Sequence, residues 1–159
     1  MDAATGRILG VIRMPNTTFA GRREIDPVAL LKWISVWKDP LVAIEEPLQY
    51  AATLQSMRSM SISFGKLIGM CSAAEIPFVR VQVPDWHKKI LGRVPKGLTK
   101  VYALNKASLF WPTQDWCVGK GTTPHDGIVD AALIGKYANE NNIQEPVRRR
   151  RNVRKTRAK

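Results

Sequence analysis

Leu41 to Glu46 reads Leu-Val-Ala-Ile-Glu-Glu, a short and almost continuously apolar run. A strand with one wet face alternates apolar and polar residues. A run without alternation fits a strand buried on both faces, in a parallel or mixed sheet covered by helices. The sequence around it supplies those helices. Asp26-Pro27 is an N-cap followed by proline at the first helical position, and Leu30, Trp33, Ile34 and Trp37 recur at helical spacing as core until Asp39-Pro40. A long helix is expected from about Thr53 to Glu75. Its stripe of Met57, Met60, Phe64, Leu67, Cys71 and Ala74 reads as core, with an adaptable partner groove as the alternative. Ile76-Pro77 ends it, and Phe78 to Val83 alternates as a strand. Pro84-Asp85-Trp86 opens a short helix, Lys100 to Phe110 forms another, Gly119 to Pro124 is a loop, and the last helix runs from Pro124 to about Asn139. Arg7 to Met14 reads as a further strand, and Asn16 to Arg23 as a polar loop. Strands alternating with helices predict an α/β layered domain.

The 159 residues hold one domain plus a tail. At 45% hydrophobic and 24% charged, the chain can bury a core. No run approaches the roughly 20 apolar residues of a membrane span, and no secretory signal pattern opens the chain. Cys71 and Cys117 are too few for a disulfide scaffold and lack metal-ligand spacing, so a reduced, cytoplasmic protein is expected.

Lys and Arg number 25 against 13 Asp and Glu, a net +12. Eight of the basic residues, Arg148 to Arg151 among them, lie in Val147 to Lys159, which has no acid; the rest of the chain is near balance. The expected division is a folded unit over residues 1–146 and a basic nucleic-acid-binding tail over residues 147–159. The tail has almost no apolar anchor, which disfavours a membrane partner. A tail that only solubilises is the alternative.

Three places offer groups that a metal could use. Glu45 and Glu46 end the buried strand, where sites gather in sheets covered by helices, and alternation lets only one face a given side. Asp126 and Asp130, four apart, share a face of the last helix, and His125 stands beside them as a ligand or proton donor. Converging carboxylates suit Mg²⁺, and a basic protein that carries them is a candidate nuclease. Thr123-Pro124-His125-Asp126 equally fits a capping box, with Thr123 as N-cap.

The ordered set of segments resembles the RuvC-like Holliday-junction resolvases, in particular their phage-type members. The matching segments are Gly21 to Asp26, Val42 to Glu46, Ser63-Phe64-Gly65, Trp86 with Lys88 to Gly92, the helix Lys100 to Phe110 with Pro112, His125-Asp126-Gly127, and Asp130 to Ile134. They span about residues 7–138. The resemblance implies a ribonuclease H-like mixed sheet flanked by helices, a homodimer in a bacterial or phage-infected cell, and nicking of branched double-stranded DNA with Mg²⁺, or Mn²⁺ in its place. It places metal-binding and catalytic roles on Glu45, Asp126 and Asp130, and sets His125 where some relatives carry another acid. It places Phe64, Trp86, Lys88 and Lys89 near the DNA; a solvated helix face is the alternative for the two lysines.

Members of that family begin with two strands, the first bearing a Gly-x-Asp-x-Gly motif whose aspartate binds metal. Nothing in this sequence matches it, so the first two strands are expected to be missing. The strand ending in Glu45 would then lack a neighbour. A start placed too late, a truncated or inactive homologue, and a site rebuilt around Asp2 are the three accounts of that absence.

Overall fold

The computed structural model describes residues 1–48, 50, 53–117 and 121–141. The Val147 to Lys159 tail with Arg148, Arg149, Arg150 and Arg151 lies outside the described residues, as does the start of the Gly119 to Pro124 loop.

Strand β3 (Val42–Glu45) pairs in parallel with β4 (Phe78–Val81), with Glu45 opposite Val81. Side-chain alternation divides the two faces. Ala43, Val79 and Val81 join one hydrophobic cluster with Trp86, Ala103, Ala107, Ile128, Val129 and Leu133; Val42, Ile44 and Phe78 join a second with Leu30, Ile34, Met70 and Cys71. The first cluster belongs to helix α3 (Val83–Trp86), the π-helical turn His87–Leu91, α4 (Thr99–Phe110) and α5 (Asp126–Glu140). The second belongs to α1 (Pro27–Ile34) and α2 (Leu54–Ala73). Helices therefore cover both faces of the parallel ladder, which is the α/β architecture expected from the unalternating Leu41 to Glu46 run.

Asp26 caps α1 as its sequence predicts. The Val28 and Ala29 amides donate to Asp26 Oδ1, 3.0 Å each, and Pro27 follows at the first helical position. Asp26→Ala is expected to cost about 1 kcal/mol, and Asp26→Asn much less, because the amide oxygen still accepts both bonds. Urea unfolding of the two variants checks this; equal losses would show that the charge, not the cap, matters. Helix α1 ends at Ile34, earlier than the Trp37 spacing suggests. Trp33 and Trp37 are half-buried and meet edge to face at 6.2 Å. Gly10 runs against both rings; a Cβ there would sit 3.8 and 3.9 Å from them.

The antiparallel strands fall elsewhere than expected. β1 (Asn16–Phe19) and β2 (Arg22–Ile25) form a hairpin inside the segment read as a polar loop. Its two turn residues, Ala20 and Gly21, both have positive φ (47° and 74°), the requirement of the type I′ turn that matches strand twist. Residues 7–14, expected as a strand, have no ladder partner among the described residues. Ile8 and Ile12 of that segment pack inward, one against each cluster. Its apolar alternation thus reflects packing rather than pairing. Among the described residues, β3 pairs with β4 alone. No described helix is long and apolar enough to cross a membrane.

Candidate metal centre

Alternation along β3 turns Glu45 to the same side as Ala43, toward α5, and Glu46 to the other side, where it meets Arg80 at 3.6 Å. Glu45 is held from below. Trp86 is 1% exposed within the larger cluster, and its indole N–H donates to Glu45 Oε1 at 2.8 Å. One carboxylate oxygen is thereby fixed.

Asp126 opens α5 and Asp130 stands one turn on, the shared face their spacing predicts. Asp130 is half-buried, and its carboxyl is pushed up to about 6, first by burial, then by the Glu45 and Asp126 charges, with Lys100 opposing. The strand acid and the two helix acids, distant in sequence, therefore act on one another. Lys100, in the first turn of α4, reaches Asp126 at 2.5 Å. Its ammonium pKa is raised by the Asp126 hydrogen bond and charge, with Asp130 adding a little. Both partners are well exposed, so the pair adds little to stability.

The capping-box expectation is corrected here. Helix α5 starts at Asp126 with His125 as its N-cap residue, not Thr123. The His125 amide, which a Thr123 cap could have accepted from, donates to the Trp116 carbonyl instead, at 2.9 Å. The His125 side chain caps nothing and is exposed. Spacing alone missed His87. Burial pushes its pKa down while the Glu45 charge pulls it back up, and its ring packs edge-on against Trp86 at 4.2 Å. Its place beside Trp86 in the sequence was the available signal, once Trp86 is known to reach Glu45.

Lys88 and Lys89 are exposed on the π-helical turn. Phe64 packs partly buried against the Leu30, Ile34 and Cys71 cluster. Trp86, expected beside DNA, has no face open to a ligand and serves Glu45 instead. Asp2 does not join the acids. Its Oδ1 accepts from the Ala4 and Thr5 amides at 2.8 and 3.1 Å, closing a turn, and these bonds lower its pKa, with a further small contribution from Arg7.

The donor chemistry fits a hard divalent cation. Oxygen ligands that raise one another's pKa are those a cation would stabilise in the charged form. In the geometry described, however, no three His, Cys, Asp or Glu among the described residues stand together as a metal-holding group. The charges of Glu45 and Asp126 both act on Asp130, and Asp126 is held by Lys100.

The raised Asp130 pKa has a consequence for folding. The folded chain keeps the Asp130 proton to about pH 6, while the unfolded chain releases it near its ordinary value of 3.8. Stability from this group is full below the lower value and is lost as pH rises through the upper one. Asp130→Asn is therefore expected to raise the melting temperature at neutral pH without divalent cations, by about 2–4 °C for each kcal/mol relieved. The gain should vanish near pH 4. Calorimetry at the two pH values checks this; an equal change at both would overturn it.

No family model matches the chain, and no curated protein does. Among solved structures, Thermus thermophilus RuvC in complex with a Holliday junction substrate superposes with a TM-score of 0.52 at 10% identity, covering 76% of this chain and 69% of that one. A second Thermus thermophilus RuvC structure gives the same score and coverage at 14% identity. At such identity the likeness is one of fold. It agrees with a ribonuclease H-like arrangement in which some strands are absent from the described residues.

Proposed function

We propose that this chain is a RuvC-like, phage-type DNA endonuclease that nicks four-way or otherwise branched DNA with Mg²⁺, or Mn²⁺ in its place. The observation that carries the reading is the packing of α5 on β3, which brings Asp130 within electrostatic reach of Glu45, with Asp126 one turn away. The RuvC-like fold and the net +12 charge support a nucleic-acid substrate.

Glu45 and Asp130 would hold the cation, joined by Asp126 once its carboxylate leaves Lys100. When bound, the ion would polarise the scissile phosphate and ease ionisation of the attacking water. The chain's own groups do the rest. Trp86 orients Glu45. Lys100, released from Asp126, is a ready cation for a substrate phosphate. His87, whose pKa burial lowers against the pull of the Glu45 charge, would be the group to accept a proton. A two-fold homodimer would bring one such site to each of two strands of a junction. Two free cysteines, one buried, suit a reducing cytoplasm in a bacterial or phage-infected cell.

A second reading is a catalytically inactive DNA-binding homologue. It is favoured by the Lys100 hold on Asp126 and by the want of a formed three-ligand group among the described residues. A nicking assay on a synthetic four-way junction with Mg²⁺, run beside linear duplex, decides between them. Junction-selective nicks are expected; tight junction binding without nicks would leave the second reading standing.

A further inference from the structure

Away from the acids, the β1–β2 hairpin and the N-terminal half of α2 enclose a cleft of about 250 Å³. Arg22 and Arg23 line it from β2, and Arg58 from α2 together with the polar residues Gln55, Ser59 and Ser63. The cleft has one acid, Glu24, and that acid is already satisfied: Lys66 Nζ meets Glu24 Oε2 at 2.6 Å. Among the described residues, none of the three arginines has an acidic partner. Three arginines line one hollow whose only acid is spent on a lysine. Like charges so gathered repel, and a surface built only for solubility would intersperse acids among them. Guanidinium forks with hydroxyl and amide donors match the oxygens of a phosphodiester.

We propose that this Arg22–Arg23–Arg58 cleft is a phosphodiester-binding site that grips the backbone of a nucleic-acid strand, separate from the acid group on β3 and α5. It rests on the nucleic-acid reading above only for the class of partner, and not on any cleavage. The type I′ turn at Ala20-Gly21 sets where the hairpin places the first two arginines. The Lys66–Glu24 pair ties β2 to α2 beside the cleft.

The test is binding of a short fluorescent linear duplex to the full chain in EDTA, where no nick can form. The variant Arg22→Gln/Arg23→Gln/Arg58→Gln is compared with Lys32→Gln/Lys38→Gln/Arg93→Gln, which removes equal charge from other exposed positions. The cleft variant is expected to bind about 10- to 100-fold more weakly at about 50 mM salt. Its slope of log affinity against log salt should be shallower by roughly 2 to 3, at about 0.9 for each phosphate no longer neutralised. The control variant should lose far less. Equal losses would reduce the cleft to net charge and overturn the proposal, as would no loss in the cleft variant. If that variant fails to fold, the arginine Nε–Hε signals of the unaltered chain give the answer. They should shift as duplex is added, and signals that stay still overturn the assignment. Shifts with inorganic phosphate but not duplex, or cleft-dependent binding to phosphatidylserine vesicles but not duplex, would likewise overturn it in favour of a free anion or a lipid surface. Cleft-dependent binding without junction nicks would sink the endonuclease reading and leave this one intact; nicking with cleft-independent binding would do the reverse.

Discussion

Glu45→Gln is expected to slow Mg²⁺-dependent nicking of a four-way junction on the order of 10²- to 10³-fold, the scale of losing one electrostatic group at a reacting phosphate. Junction binding in EDTA should be unchanged. The substitution isolates charge from shape. Glutamine has the same side-chain length, and its amide oxygen still accepts the Trp86 indole N–H now made to Glu45 at 2.8 Å. The packing beneath is untouched, so the thermal transition should stay close to that of the parent chain. One further effect follows from the Glu45 share in raising the Asp130 pKa. Removing that charge should lower the Asp130 pKa, because a like charge disfavours ionisation. Carboxyl chemical shifts across a pH titration would read it. Nicking at the parent rate would refute the role given to Glu45. A matched loss of binding and nicking would mean that Glu45 holds the fold or the DNA rather than the chemistry.

The second large effect lies one layer down, at Trp86. Trp86→Ala should cost about 3–5 kcal/mol, because a 1%-exposed indole leaves a cavity among Val79, Val81, Ile90 and Leu91. For a chain of this size that is a fall in melting temperature of roughly 10 °C. Trp86→Phe separates packing from orientation. Phenylalanine fills most of the space but cannot donate to Glu45. That variant should fold, bind junctions as the parent does, and nick about 10- to 100-fold more slowly, the usual cost of losing a group that orients a metal ligand. Full activity in Trp86→Phe would show that the indole only packs. Loss of activity in proportion to loss of stability in both variants would show the same.

The contrast between what the sequence disclosed and what it hid has physical causes. The Leu41 to Glu46 run announces a buried strand because apolar residues on both faces leave it no alternative, and β3 lies inside that run. Asp26-Pro27 announces α1 because cap and first-turn chemistry are local. Asp126 and Asp130 share a face by helical geometry alone. The hairpin was hidden because its turn is Ala-Gly, where Asn-Gly or Asp-Gly would have signalled paired positive φ. Residues 7–14 misled because Ile8 and Ile12 pack like strand residues without a strand's hydrogen bonds. Lys100 on Asp126, His87 near Glu45 and the indole beneath Glu45 are tertiary facts that no local pattern encodes.

The two faces of the β3–β4 ladder are unequal. Among the described residues, thirteen buried ones form the cluster under α3, α4 and α5, and five form the one under α1 and α2. Opening free energy follows buried apolar contact, so the α1–α2 layer is expected to open more readily, as slower hydrogen exchange in α4 and α5 than in α1 would show. Glu45, through Trp86, and the α5 acids are anchored in the stronger one. Spacing among the acids is thus insulated from opening of the α1–α2 layer. Precision and compliance are allotted to opposite sides of one small sheet.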